Sequence, residues 1–346
     1  MIKTIDISEF LSLKADVPVL DVRSPSEFSQ GHIPGANNLP LFDDEERKVV
    51  GTLYKKSGRE AAILEGLDFA GRKLRNFVKQ AKKAAPGKKL LMHCWRGGMR
   101  SESMAWLLNL AGFDVYLLKG GYKAYRRHVL SLWEKPARIM ILSGKTGTGK
   151  TEILKHMQEL GQQVIDLEGI AHHKGSAFGA IGESPQPSSE QFENELADQW
   201  TKIDHSLPVW LEDESHTIGR VFIPHKLYQQ MHQAQVIRLE MPKNLRVKRL
   251  IEDYAGFEKV LLVQSIEKIQ RKLGGQNART AIEALHQDDF ETAIAIVLDY
   301  YDKAYTFDLG KRKPEQFQHF ETHTEQAQEN ARLVLEQINQ LTHEQG

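Results

Sequence analysis

The chain contains one cysteine, Cys94, and its surroundings favour a reactive thiol over an inert core residue. Residues 90–93 predict a strand and residues 102–108 predict a helix, so the thiol lies in a loop that precedes a helix N-terminus. The loop also supplies two glycines and two cations, Gly97, Gly98, Arg96 and Arg100. Inward-facing amides and nearby positive charge lower the pKa of a cysteine from about 8.5. Cys94 is therefore a candidate nucleophile beside a cradle for a tetrahedral anion such as phosphate, thiosulfate or selenophosphate.

A second candidate site lies at residues 144–151, which fit the pattern G-x-x-x-x-G-K-[ST] without a mismatch between a predicted strand and a predicted helix. Glycines let successive N–H groups converge on an anion, the lysine reaches terminal phosphate oxygens, and the hydroxyl can ligate magnesium. The predicted phosphate-binding residues are Gly144, Lys145, Thr146, Gly147, Thr148, Gly149, Lys150 and Thr151. The pattern predicts a bound phosphate group but leaves open which molecule carries it, with ATP as the default.

Magnesium is the candidate metal at this second loop. In comparable sites, a carboxylate at the end of a neighbouring strand holds the ion. The predicted strand 209–211 is followed by Glu212, Asp213 and Glu214, and we take Thr151 and Asp213 as the metal ligands. The alternative is that these acids are solvated, since charged residues commonly face water.

Parallel strands alternating with helices would position both loops. Strands are predicted at 19–22, 90–93 and 115–118 and, after a break at 133–136, at 137–142, 163–166, 209–211 and 235–239. Ser24-Pro25-Ser26-Glu27 predicts a capped helix start, and the last helix is expected to begin at Thr322 with Glu325 completing a capping box. We therefore expect an α/β fold, with an N-terminal parallel-sheet domain at 1–130, a linker at 131–136, and an α/β domain at 137–346 that is mostly helical from about residue 243.

Composition excludes several classes of protein. The 346 residues suggest about two domains, and 40% hydrophobic with 27% charged residues is typical of globular chains. A single cysteine excludes an intramolecular disulfide. Because no long apolar run and no signal-peptide pattern is present, we expect a cytoplasmic protein without a membrane segment.

The net charge is zero, with 46 basic and 46 acidic residues, so a polyanionic partner needs a local basic patch. Eight basic residues and no acidic residue lie between Arg72 and Lys89, with Lys79, Lys82 and Lys83 on the outer face of a predicted helix. A second basic group includes Arg126 and Arg127. The alternatives are a solvated helix face, or a polyanion site around Lys243, Arg246, Lys248 and Arg249.

The N-terminal domain resembles the rhodanese family. The segments 21–28 and 31–40 match the rhodanese signature, and residues 119–122 resemble the end of that domain. The loop His93-Cys94-x5-Arg100-Ser101 is one residue longer than in ordinary rhodaneses and also matches the signature of cysteine-dependent phosphatases. This extra residue argues against a simple thiosulfate sulfurtransferase.

A rhodanese-like domain followed by a P-loop NTPase-like domain resembles the tRNA 2-selenouridine synthases along nearly the whole chain. The segments 167–179 and 212–220 also look like that family. The resemblance implies replacement of sulfur in wobble 2-thiouridine by selenium from selenophosphate, through an S-geranylated intermediate made from geranyl diphosphate. Under this resemblance Cys94, with Arg96 and Arg100, would receive selenium as a perselenide, while the 144–151 loop would grip the diphosphate and need not hydrolyse ATP.

The resemblance also implies partners. The substrate would be tRNA, for which we expect contacts from Lys79, Lys82, Lys83, Arg126 and Arg127. An enzyme that supplies selenophosphate is a second candidate partner. Two alternatives stay open: a cysteine-dependent phosphatase or sulfurtransferase fused to a P-loop kinase-like domain, and a nucleotide-gated binding module whose two sites are regulatory.

Overall fold

The computed structural model describes residues 1–309 and 312–344. The chain divides into two compact units. The first unit comprises Met1–Leu132 together with Glu193–Asp198, a short stretch from much later in the sequence. The second unit comprises Trp133–Phe192 and the described residues from Gln199 onward.

The first unit is built on one parallel sheet. Its strands are β1 (Ile2–Ile5), β2 (Val19–Asp21), β3 (Asn37–Asn38), β4 (Lys89–His93) and β5 (Asp114–Leu118). Its helices within residues 1–132 are α1 (Ile7–Leu13), α2 (Pro25–Gln30), α3 (Asp44–Lys56), α4 (Arg59–Gly71), α5 (Leu74–Ala84), α6 (Met99–Leu110) and α7 (Gly121–Leu132). The sheet order is β1-β5-β4-β2-β3. The predicted strands at 19–22, 90–93 and 115–118 are confirmed as β2, β4 and β5.

Strand β4, which leads to Cys94, is the central strand of this sheet. Leu90, Leu91 and Met92 are all fully buried, as expected for a parallel strand covered on both faces. The predicted capping box is confirmed at α2, where Ser24 and Glu27 satisfy each other's backbone amides. The sheet and its helices thus fix the position of the cysteine loop at the carboxyl end of β4.

The second unit also contains a five-stranded parallel sheet. Its strands within the described residues are β6 (Ile139–Ser143), β7 (Gln163–Val164), β8 (Val209–Glu212), β9 (Thr217–Ile218), β10 (Val221–Phe222), β11 (Gln235–Glu240) and β12 (Phe317–Glu321). The sheet order is β12-β11-β6-β8-β7, and β9 with β10 forms a small antiparallel pair. The predicted strands at 137–142, 163–166, 209–211 and 235–239 are confirmed as β6, β7, β8 and β11.

The helices of the remaining chain are given in sequence order. They are α8 (Lys150–Glu159), α9 (Leu167–Ala171), α10 (Ser189–Trp200), α11 (His225–Gln233), α12 (Lys243–Tyr254), α13 (Lys259–Leu273), α14 (Gly275–His286), α15 (Phe290–Leu309) and α16 (Ala327–Glu344), with a 3₁₀ turn at Pro314–Gln316. Helices α13, α14 and α15 enclose an apolar cluster of their own. None of the described helices is long and apolar enough to cross a membrane.

The described part of the region from residue 243 is mostly helical, as expected, and its one strand, β12, pairs in parallel with β11 at the sheet edge. One expectation for this region is wrong. The last helix begins at Ala327 rather than Thr322, since the amide of Thr322 continues the pairing by donating to Glu240. The Thr322 side chain is buried and hydrogen-bonded to Asn330 instead of capping a helix.

Candidate functional site

Cys94 lies in a short loop between β4 and α6, and its side chain is almost fully buried. Helix α6 begins at Met99 with Gly98 as its N-terminal cap, three residues earlier than the helical pattern predicts. The hydroxyl of Ser101 donates a hydrogen bond to Cys94 Sγ at 3.2 Å. The thiol is therefore held directly at the N-terminus of α6, where backbone amides and the helix dipole favour negative charge.

These contacts change the acidity of the thiol. Burial alone would raise the pKa of Cys94, but it is outweighed by the Ser101 hydroxyl, by the amides of Gly98 and Ser101, and by the charge of Arg100. The net effect is a pKa below the ordinary value for cysteine. A lowered pKa increases the fraction of thiolate, the form that acts as a nucleophile.

The two arginines of the loop differ in setting. Arg100 makes a bidentate ion pair with Glu27, at 2.6 and 3.3 Å, and is largely buried. This pair holds the pKa of Glu27 low, despite the burial that opposes the shift. Arg96 is exposed, so it is available to an anion that approaches the loop.

Gly97 and Gly121 allow the cysteine loop to pack closely against the start of α7. Both have positive φ, of 68° and 59° respectively. A Cβ on Gly121 would lie 2.4 Å from the carbonyl oxygen of Cys94, and one on Gly97 would lie 2.8 Å from the carbonyl oxygen of Leu118. Only glycine fits either position.

A cavity of about 930 Å³ lies beside Cys94, and we call it the Cys94 groove. One wall is apolar and comes from α3, α4 and the segment before them, with Leu41, Phe42, Val50, Ile63, Leu67 and Ala70. Basic side chains also line it, namely Arg47, Lys48, Lys55, Arg59, Arg96 and Arg100, against only two acids, Glu27 and Asp44. The groove therefore combines a nucleophile, an apolar wall and an excess of positive charge.

In the second unit, the 144–151 loop connects β6 to α8, the strand–loop–helix context that the pattern requires. Lys150 Nζ donates to the carbonyl of Gly144 at 3.1 Å, which folds the lysine over the loop. Burial opposes its charge, but Glu168 and Glu214 raise the pKa of Lys150 above the ordinary value. Lys150 is thus a fixed cation within the loop that is predicted to bind phosphate.

Three carboxylates surround this loop: Glu168, Glu212 and Glu214. Thr151 donates to Glu168 Oε2 at 2.8 Å, and the amide of Glu168 lies 3.3 Å from Glu212 Oε2. Burial raises the pKa of all three, that of Glu212 to about 8. Repulsion from Glu168 adds to the rise at Glu212 and Glu214, whereas Lys150 and Thr151 oppose the rise at Glu168. Lys150 is the cation that interacts with all three, yet Oε1 of Glu212 is buried and accepts no hydrogen bond among the described residues.

Asp213 and Thr151, the two predicted metal ligands, have different hydrogen-bond and ion-pair partners. It accepts a short hydrogen bond from Ser143 and forms an ion pair with Arg312 at 2.8 Å. Thr151 instead contacts Glu168, which lies in the segment 167–179 but which the sequence did not single out as a ligand, and the Thr151 hydroxyl also interacts with Glu212. In the part of the chain that the structure describes, no group of three or more His, Cys, Asp or Glu side chains is arranged to hold a metal ion.

The predicted tRNA-binding residues also divide into two sets. Lys79, Lys82 and Lys83 are exposed on α5, whose buried face contains Phe77 and Ala81. Arg127 is exposed on α7, whereas Arg126 is hydrogen-bonded to Asn194 at 2.6 Å and ion-paired with Glu193. The α5 lysines therefore form the more accessible basic surface.

Ser101 and the helix pair α3–α4 are parts of the first site that sequence reasoning did not assign. Ser101 stands in the quoted Cys94-x5-Arg100-Ser101 pattern, so its spacing could have indicated a role. Helix α3 carries its own signal, a capping box formed by Asp43 and Glu46. Nothing in a single sequence shows that this helix pair folds beside Cys94.

Comparisons with known proteins cover both units. The model of the rhodanese-like domain matches residues 6–128, and the model described as the tRNA 2-selenouridine synthase AAA domain matches residues 137–337. These matches confirm the expected fold class, a rhodanese-like domain followed by a P-loop domain.

Curated relatives carry the same name. A tRNA 2-selenouridine synthase of Shewanella sediminis is 36% identical, covering 86% of this chain and 89% of the relative. Those of Shewanella frigidimarina and Marinobacter nauticus are 37% and 34% identical, covering 86% and 90% of this chain and 89% and 93% of the relatives. With one family model matching more than half of the residues, the chain belongs to the tRNA 2-selenouridine synthase family.

Proposed function

We propose that this protein is a tRNA-modifying transferase that replaces the sulfur of wobble 2-thiouridine with selenium from selenophosphate. The intermediate is an S-geranylated base made from geranyl diphosphate. The observation that carries the proposal is the presence in one chain of Cys94, a thiol with a lowered pKa at a helix N-terminus, and of a separate strand–loop–helix at 144–151 with the sequence pattern of a phosphate-binding loop. Two distinct anion sites suit a reaction with two anionic co-substrates.

Cys94 performs the selenium step in this proposal. Selenophosphate is a tetrahedral anion, and amides at the start of α6 together with Arg96 and Arg100 match its charge. The thiolate, stabilised by Ser101, attacks the phosphorus of selenophosphate. The P–Se bond breaks with both electrons going to selenium, which leaves at the oxidation level of selenide, and water then hydrolyses the phosphocysteine to free the thiol. Because a perselenide would need a two-electron oxidant, selenium is not carried on Cys94 itself. An enzyme that makes selenophosphate would supply this site, as a partner or through solution.

The 144–151 loop performs the alkylation step. It would hold the diphosphate of geranyl diphosphate through its backbone amides and Lys150. The sulfur of 2-thiouridine bonds to C1 of the geranyl group, the C1–O bond breaks, and pyrophosphate leaves with the bonding electrons while the base releases its N3 proton to solvent. Alkylation turns the sulfur into a better leaving group for the second step.

Magnesium fits this loop. Thr151, Glu168 and Glu212 offer oxygen donors. The buried Oε1 of Glu212 has no hydrogen-bond partner among the described residues, which is compatible with its binding a cation. Bound magnesium would neutralise charge on the diphosphate. Asp213, the other proposed ligand, would first have to leave its contacts with Ser143 and Arg312.

Mass spectrometry of tRNA nucleosides tests the proposal. Cells that lack the protein should contain 2-thiouridine but no 2-selenouridine, and the wild-type gene should restore the selenonucleoside. The variant Cys94→Ala should stop after alkylation and accumulate S-geranyl-2-thiouridine, because the alkylation loop lies in the other unit. Normal selenouridine formation by this variant would refute the assignment of Cys94.

A phosphatase is the second candidate, because Cys94, Arg100 and Ser101 have the spacing and contacts of a phosphate-cleaving loop. Phosphate release from a simple aryl phosphate tests it. We expect release no faster than from Cys94→Ala. Rapid release that depends on Cys94 would favour the phosphatase.

A further inference from the structure

The Cys94 groove contains more apolar surface than selenophosphate requires. Its volume of about 930 Å³ is far larger than one small anion needs and lies within the range of sites for whole organic ligands. Leu41, Phe42 and Ile63 line it as partly or fully buried side chains. Leu67 and Met99 line it while remaining 62% and 43% exposed.

Exposed apolar residues that cluster around a concave site indicate an apolar ligand. An inorganic anion would gain nothing from them, and neither would the small, polar edge of an unalkylated base. A hydrocarbon chain attached to the base would be removed from water along this wall.

The charge of the groove indicates the kind of molecule to which the hydrocarbon chain is attached. Lys48, Lys55 and Arg59 are exposed basic residues of α3 and α4 that line the groove. Arg47 also lines the groove, and it shares Glu27 with Arg100. Positive charge beside an apolar wall suits an RNA strand whose phosphates lie outside while an alkylated base enters.

We propose that the Cys94 groove binds the prenyl chain of the S-alkylated wobble nucleotide, and that the α3–α4 wall thereby distinguishes alkylated from unalkylated tRNA. The inference rests on the proposed function, because it takes the S-geranyl base as the species presented to Cys94. It makes Leu67 and Ile63 specificity-determining residues, which contact the chain and take no part in the chemistry.

The exchange itself balances without a redox partner. A nucleophile at the oxidation level of selenide bonds to C2 of the base, and the C2–S bond breaks. The proton of the selenol moves to N3, and the prenyl thiolate leaves with the bonding electrons. Holding the chain in the groove fixes C2 near the thiol and keeps the leaving group in apolar surroundings.

The test is a binding comparison with the full-length protein and no selenium donor. Two RNA stem-loops would be used, identical except that the wobble base is either 2-thiouridine or S-geranyl-2-thiouridine. We expect wild type to bind the geranylated RNA about tenfold more tightly, a difference of about 1.4 kcal/mol. Added salt should weaken the binding of both RNAs but leave their ratio unchanged, because only the phosphate contacts are screened.

Leu67→Asp should abolish the preference while keeping the affinity for thiouridine RNA. Leu64→Asp is the matched control, because Leu64 lies on the same helix, is 60% exposed and does not line the groove. Since both positions are exposed, neither change should prevent folding. Ile63→Trp, which fills the groove, should weaken binding of the geranylated RNA alone.

The possible failures can be told apart. If wild type converts S-geranyl RNA to selenouridine RNA but shows no preference in binding, or if Leu67→Asp and Leu64→Asp behave alike, the groove inference is wrong and the proposed function stands. If wild type cannot convert S-geranyl RNA when selenophosphate is present, the proposed function fails and the inference fails with it.

Discussion

Ser101 is the single side chain with the most direct effect on the Cys94 thiol, because its hydroxyl hydrogen bond lowers the thiol pKa. We expect Ser101→Ala to raise that pKa. The rate of alkylation by iodoacetamide, followed against pH, should then reach half its maximum at a higher pH than in wild type. Ser103→Ala removes an exposed hydroxyl on the same helix and should leave the midpoint where it was. A midpoint that does not move in Ser101→Ala contradicts the assigned role.

Glu212 makes the stability of the ligand-free second unit depend on pH. Burial and repulsion raise its pKa to about 8, so the folded state keeps a proton that the unfolded chain releases near its ordinary pKa of 4.5. Glu212 therefore does not reduce the free energy of unfolding below pH 4.5, but reduces it progressively as the pH rises from that value toward 8. We expect Glu212→Gln, which stays neutral, to be more stable than wild type at pH 9 by roughly 1 kcal/mol or more.

Denaturation at pH 6 and pH 9 with a chelator present measures this difference. Glu134→Gln removes an exposed carboxylate and should not change the pH dependence. Equal stability of wild type and Glu212→Gln at pH 9 would mean that Glu212 does not carry a raised pKa.

At the scale of elements, the loop between β6 and α8 is the part of the second unit that we propose performs the alkylation step. We expect Lys150→Ala to block geranylation of thiolated tRNA. The variant loses the cation that is held over the loop and that would balance the charge of the bound diphosphate. Formation of the geranylated nucleoside and hydrolysis of ATP should be measured in parallel. Lys155→Ala, an exposed lysine farther along α8, is the control. Normal alkylation with lost ATP hydrolysis would mean that the loop binds a nucleotide.

The elements that sequence could predict are those with a strong local signal. Strand β4 is a continuous apolar run and α2 has a complete capping box, so both were predictable. Strand β12 was missed because it is an edge strand with half-buried and exposed residues, which leaves no clear apolar pattern. The site follows the same division. The two loops were visible as motifs, whereas the Cys94 groove depends on how α3 and α4 pack against the cysteine loop.

At the scale of the whole molecule, zero net charge means that tRNA affinity depends on where the basic residues are unpaired. The alternative region at 243–249 is charge-compensated, since Lys243, Arg246, Lys248 and Arg249 each pair with an acid. The α5 lysines at 79, 82 and 83 are exposed and form no ion pair within the described residues. This contrast favours α5 as the tRNA surface.

We expect reversal of Lys79, Lys82 and Lys83 to glutamate to weaken tRNA binding and reduce its salt dependence, since each phosphate contact contributes to the slope. Alkylation of Cys94 by iodoacetamide should be unaffected. Reversal of Lys268, Arg271 and Lys272 on α13 changes the net charge equally and serves as the control. A titration at several salt concentrations measures both properties, and an unchanged slope in the α5 variant would place the tRNA elsewhere.

The first unit cannot be completed until residues Glu193–Asp198 have been synthesised, because they belong to it although they come much later in the sequence. Asn194 is fully buried there and hydrogen-bonds the hydroxyl of Tyr122, whose amide donates to the carbonyl of Cys94. During synthesis, at about 5–20 residues per second, the ribosome needs several seconds after Leu132 to deliver these residues. Until then the nascent chain contains the complete cysteine loop but lacks the hydrogen bond from Asn194 to Tyr122. A fragment that ends with α7 would lack this contact permanently.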